Sequence, residues 1–210
     1  MSYTPEDAAQ DQFFDELEKE LYPSHKEQAI EEFTAERLQS LYIKNPDVAV
    51  NAVRSHTEAK ALLEHGHPSA SLVFTVSSIE QFLKAALLKP VVYGLVHSEP
   101  LADLVVEFTV GQTGFERYKR LLTKLFESLA GMNLETIKRQ GSAKTLLDEV
   151  AELQTVRNKI VHQGFQVQDA DAKEAMAIGE SVFQQLFWRM LLALGLRVEA
   201  RGIIVPKTRG

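Results

Sequence analysis

Cysteine is absent from all 210 residues, which excludes disulfides and thiolate chemistry. No stretch approaches the roughly 18 uncharged apolar residues of a membrane span. The longest apolar run, Phe183 to Leu196, is broken by Gln184, Gln185 and Arg189 and reads as a core helix. The acidic start MSYTPEDAAQDQFF lacks a basic head followed by an apolar run, so it does not read as a secretory signal. Those absences predict a soluble, cytoplasmic protein with no membrane partner. No G-x-x-x-x-G-K-S/T loop and no G-x-G-x-x-G occur, so triphosphate and dinucleotide chemistry find no support. Ser77 and Ser78 lack a neighbouring histidine or a nucleophile-elbow glycine pattern. A positive balance is missing too: the net charge is -6, which argues against a general nucleic-acid binder.

What is present is 45% hydrophobic residues, enough for a sizeable core, and an uneven distribution of charge. Residues 1–36 carry eleven acidic side chains against Lys19 and Lys26. Residues 111–145 reverse the sign: Arg117, Lys119, Arg120, Lys124, Lys138, Arg139 and Lys144 stand against Glu116, Glu127 and Glu135. From Arg189 onward the chain is again basic. This asymmetry fits an acidic arm with a basic binding face, and it fits solvated helix faces equally well.

Almost nothing alternates with period two, so the expected fold is all-α. Prolines and glycines divide the chain at helical intervals. Helices are expected from Pro5 to Leu21, from Pro23 to Leu41, from Asp47 to Glu64 behind an Asn45-Pro46 cap, and from Ser69 until Pro90 stops it. Further ones are expected from Pro100 to about Val110 and from Phe115 to Leu129. Two more run from Ala143 to His162 with Ser142 as cap, and from Asp169, its own cap, to Leu194. Ile203-Ile204-Val205 reads as a short strand or extended arm. Three regions result: an acidic helical extension over 1–45, a helical domain over 46–195 and a tail over 196–210. Phe187 and Trp188 read as core.

The segment Val156-Arg157-Asn158-Lys159-Ile160-Val161-His162-Gln163-Gly164 is the most informative part of the chain. It sets an arginine, an asparagine and a histidine at the end of what reads as a buried helix. Arginine keeps its charge, asparagine offers a fixed amide, and histidine can carry a proton near neutral pH. An unpaired polar group in a core costs roughly 1–3 kcal/mol, so such a set calls for a reason. Asn158 and His162 are i, i+4 and share a helix face. Arg157 and His162 are five apart and diverge within one helix, so they converge more easily across a two-fold axis. Glu80 either pairs with Arg157 or is a surface helix charge. His65 and His67 have the chemistry of metal ligands but no third and fourth ligand at sensible spacing, and read as loop residues.

Arg157 through His162 fits the pattern R-x4-6-H. Ala59-Lys60-Ala61-Leu62-Leu63-Glu64-His65-Gly66-His67-Pro68, continuing to Ser78-Ile79-Glu80-Gln81-Phe82, looks like a helical hairpin with a glutamate in its second helix. On these two stretches the chain resembles the HEPN superfamily (higher eukaryotes and prokaryotes nucleotide-binding domains) over roughly residues 47–195. The resemblance implies a helical bundle that dimerises around the motif helix, here with additional N-terminal helices and an inserted helical segment between Val91 and Gly141. It implies a metal-independent endoribonuclease with no cofactor, often a toxin or anti-phage effector with an antitoxin or defence-system partner. The alternative within the same family is a non-catalytic dimer that binds RNA or protein. The implied site residues are Arg157, Asn158, His162 and Glu80.

Overall fold

The computed structural model describes residues 35–95 and 115–207, with Glu16, Phe33, Pro100, Leu101 and Val105 as isolated positions. The expected helix from Pro5 to Leu21, the start of the one from Pro23 and most of the one from Pro100 lie outside the described residues. The chain folds as an all-α protein with one small sheet. Helix α1 covers 35–44. It is followed by α2 (Val50–Glu64), α3 (Pro68–Gln81), a π-helical stretch (Phe82–Leu88) and α4 (Lys89–Leu95). Then come α5 (Phe115–Ala130), α6 (Leu146–Gln163), α7 (Asp169–Val182), a second π-helical stretch (Phe183–Phe187) and α8 (Trp188–Ala193). Strands β1 (Leu196–Val198) and β2 (Ile204–Pro206) pair antiparallel, with Arg197 opposite Val205. Among the described residues no helix is long and apolar enough to cross a membrane.

Helix α3 is the centre of the bundle and packs on α2, α6 and α7. Leu72, Val76 and Ile79 form its buried stripe, and Leu83 extends it into the π-helical stretch. Each such side chain contributes about 1.5–3 kcal/mol relative to an exposed one. Small residues let α2 lie close: Ala52 and Ala59 are buried, and the buried Ser78 hydroxyl donates to the Ala52 carbonyl at 2.8 Å. The turn between the two helices closes when the His67 amide donates to the Leu62 carbonyl at 2.9 Å, and Pro68 then opens α3 without losing a bonded N–H. The core extends beyond the expected domain at both ends. Leu38 and Tyr42 of α1 are buried in it, as are Leu196 and Ile204 of the terminal hairpin.

Four expected boundaries are corrected. Pro90 does not end the helix that begins at Pro68, because α4 continues through it. The carbonyl that a proline at 90 leaves without its α-helical donor is that of Ala86, and the Tyr42 hydroxyl donates to it at 2.7 Å. Asn45 does not cap α2. Its side-chain amide donates to the Leu41 carbonyl at 3.0 Å, closing α1, and residues 46–49 form a turn before Val50. Thr145, not Ser142, caps α6: its hydroxyl accepts from the Asp148 amide at 3.2 Å, while Ser142 donates to Glu149. Gln168, not Asp169, holds the cap position of α7, where the Asp171 carboxylate accepts from the Gln168 amide at 2.9 Å.

The two π-helical stretches meet face to face. The Phe82 ring lies 5.3 Å from that of Phe183 and 5.2 Å from that of Phe187, centroid to centroid, within the range of favourable aromatic pairs. Phe187 is fully buried, as expected, and Trp188 is half-buried.

Candidate functional site

Helix α6 carries the motif and changes character along its length. Leu146, Leu147, Val150 and Leu153 are buried, which anchors its first half against the core. From Arg157 on, the helix emerges: Arg157 and Ile160 are half-buried, and Asn158, Lys159, Val161 and His162 are exposed. The motif therefore does not lie on a buried helix as expected, and the cost of burial bears on Arg157 alone. Helix α6 ends where expected, because Gly164 takes a left-handed conformation with φ 67°, open to glycine without strain. The Phe165 amide then returns to the Lys159 carbonyl at 3.3 Å.

Glu80 pairs with Arg157. The carboxylate projects from α3 and its two oxygens lie 3.3 and 3.5 Å from Arg157 Nη2. Both side chains are about one quarter exposed, at 25% and 28%. The other guanidinium nitrogen, Nη1, donates to the Asn158 side-chain oxygen at 2.9 Å. Gln154 Nε2 donates to Glu80 Oε1 at 3.1 Å. Gln154 is absent from the sequence reading. Its only signal there is position: it precedes Arg157 by three on a helix, and so shares its face. A partly exposed ion pair adds only about 0–1 kcal/mol to stability. The contribution of this one is orientation, since two acceptors on different helices hold the guanidinium plane.

His162 stands one turn beyond Asn158, with its ring toward solvent, and among the described residues no hydrogen bond or ion pair engages it. Helical geometry sets it about 140° round from Arg157. One chain thus brings together Arg157, Asn158 and Glu80, and leaves His162 apart. No family model, curated protein or solved structure matches this chain. The HEPN resemblance accordingly stands on the Arg157–His162 motif and the α2–α3 hairpin.

Several of the cations in residues 111–145 pair with carboxylates within the molecule. Arg139 makes a two-pronged contact with Glu149, 3.0 Å on each side, and also meets Glu174. Lys119 pairs with Asp148 at 2.8 Å, Lys144 with Glu152 at 2.5 Å, and Lys138 donates to the Ala143 carbonyl. Burial of Glu149 opposes its ionisation, but hydrogen bonds from Arg139 and Ser142 outweigh that and hold its carboxyl below the usual range. Arg139 and Lys144 thus pin the 131–145 segment to α6 and α7, and Lys119 ties α5 to α6. His65 and His67 flank the α2–α3 turn, and His65 Nδ1 lies 2.7 Å from the Ala61 carbonyl. Among the described residues no group of three or more histidine, aspartate or glutamate side chains is placed to hold a metal ion.

Proposed function

We propose that this protein is a HEPN-type, metal-independent endoribonuclease that acts as a homodimer, with a role as a toxin or anti-phage effector. The observation that carries the reading is the Arg157 guanidinium held between Glu80 and Asn158, on the helix that ends in an exposed His162. In the reaction His162 of one copy takes the proton of the ribose 2′-hydroxyl, whose oxygen attacks the phosphorus. The bond to the 5′-oxygen breaks, and the leaving oxygen takes up a proton from the His162 imidazolium of the other copy. Arg157 stabilises the charge that builds on the phosphoryl oxygens. The products are a 2′,3′-cyclic phosphate and a 5′-hydroxyl. Val161 and Phe165, 53% and 49% exposed, flank His162 and offer a second copy apolar surface.

The separation of Arg157 from His162 in one chain also favours a second reading, a non-catalytic dimer that binds RNA or an antitoxin or defence-system protein. Labelled single-stranded RNA incubated in excess EDTA separates the two. Cleavage that leaves cyclic-phosphate ends and is lost in His162→Ala supports the nuclease. Intact RNA with wild-type protein refutes it.

A further inference from the structure

We propose that the cavity between α2, α7 and the two π-helical stretches is a binding site for a small phenol, a single aromatic ring carrying one hydroxyl group. The site is independent of the ribonuclease reading, since neither Glu80 nor any motif residue lines it.

The cavity measures about 160 Å³. That is below the roughly 300–1,000 Å³ of sites for drug-sized ligands, and close to the roughly 150 Å³ of an apolar cavity that stays dry and takes up benzene. Phe82 and Phe183 line it from the two π-helical stretches, and Val53 lines it from α2. Aromatic rings such as these offer offset or edge-to-face contacts to a further ring. Single π-helical turns occur often at functional sites, and here two of them, from distant parts of the chain, border one cavity. Gly179 of α7 adds no side chain to it. A Cβ there would lie 3.2 Å from Thr75 Cγ2 and 3.8 Å from His56 Nδ1, so glycine both keeps α7 close to α3 and leaves the space beside His56 free.

One polar gap borders this apolar space. His56 is half-buried, and among the described residues no hydrogen bond engages its ring. Burial lowers its pKa below the usual histidine range, an effect that Glu180 opposes and Lys60 reinforces, so the ring is neutral at pH 7. The Glu180 carboxylate lies 4.0 Å from His56 Nε2, beyond hydrogen-bond reach. A ligand hydroxyl about 2.8 Å from each atom bridges that gap, donating to the carboxylate and accepting from Nε2–H. The other polar groups of the lining are already served: the Thr57 hydroxyl donates to the Val53 carbonyl at 3.0 Å, and Gln184 is exposed to solvent. The cavity of about 430 Å³ beside Arg139 offers no such gap, because its charges already pair with one another.

The experiment titrates phenol, and separately toluene, into the isotope-labelled full chain and follows its amide NMR signals. The expected result is saturable shifts with phenol around His56, Gly179 and Phe183, with a Kd of roughly 1 mM or tighter. Toluene has the same ring without the hydroxyl and is expected to bind about tenfold more weakly. His56→Leu is expected to remove most of that difference while still admitting both rings. Thr57→Trp, which adds an indole to the lining from an exposed helix position, is expected to lose both. Circular dichroism that matches the wild type shows that a variant has lost binding and not its fold. Wild-type protein without saturable phenol shifts overturns the site, as do shifts that persist unchanged in Thr57→Trp. Equal affinity of the wild type for phenol and toluene overturns the hydroxyl bridge and with it the assignment of a phenol.

Discussion

Glu80 and Arg157 are 77 residues apart in sequence and meet at 3.3 Å, the carboxylate fixing the guanidinium from a neighbouring helix. If the pair serves orientation, Glu80→Gln removes the charge and keeps a hydrogen-bonding side chain of the same size. Stability is expected to change by less than about 1 kcal/mol, as for other partly exposed pairs. Under the ribonuclease reading, RNA cleavage falls at least tenfold through kcat, with KM little changed. Urea midpoints and steady-state kinetics check the two halves. A variant that cleaves at the parent rate removes Glu80 from the site.

A composite site needs two copies. Analytical ultracentrifugation at micromolar concentration is expected to show a dimer. Replacing exposed Val161 and Phe165 by glutamate is expected to yield monomers that retain the parent helicity, because neither side chain is buried in the core. Wild-type protein that sediments as a monomer would leave His162 and Arg157 on diverging faces with no partner to complete them.

The Tyr42 hydroxyl is a structural donor. It is fully buried, and burial drives its phenol well above the ordinary tyrosine range, so it stays protonated and bonded to the Ala86 carbonyl. Tyr42→Phe strands that carbonyl beside Pro90 and is expected to cost about 1–3 kcal/mol. The midpoint of chemical unfolding measures the loss, and an unchanged midpoint would show that the π-helical stretch satisfies the carbonyl by itself.

Acid should release the 131–145 segment from α6. Glu149 has its carboxyl held below the usual range in the folded protein. A depressed carboxylate contributes stability above its unfolded pKa, about 4.3, and loses it as the pH falls through the folded value. The wild type is therefore expected to lose stability from about pH 5 downward. Glu149→Gln should be less stable at pH 7 and show a smaller loss across the same range. Parallel curves for the two proteins would assign the acid sensitivity to other carboxylates.

Helix identity was legible in the sequence because it rests on local rules. Apolar spacing near 3.6 residues, Pro68 at a first turn and Gly164 just past a last one mark α3 and α6 whatever surrounds them. The motif residues Arg157, Asn158 and His162 were legible for the same reason, as chemistry at a fixed spacing on one helix. Tertiary structure decided what local rules cannot reach. Pro90 sits inside a continuous helix because Tyr42, 44 residues away in sequence from Ala86, supplies the missing donor. The basic cluster around Arg139 proved to be internal pairing because Glu149 and Glu174 approach it from two other elements. The pairing of Arg157 with Glu80 exists only because α3 packs against α6. Local pattern sets which face of a helix is polar, whereas a polar side chain's partner depends on which distant helix is packed against that face.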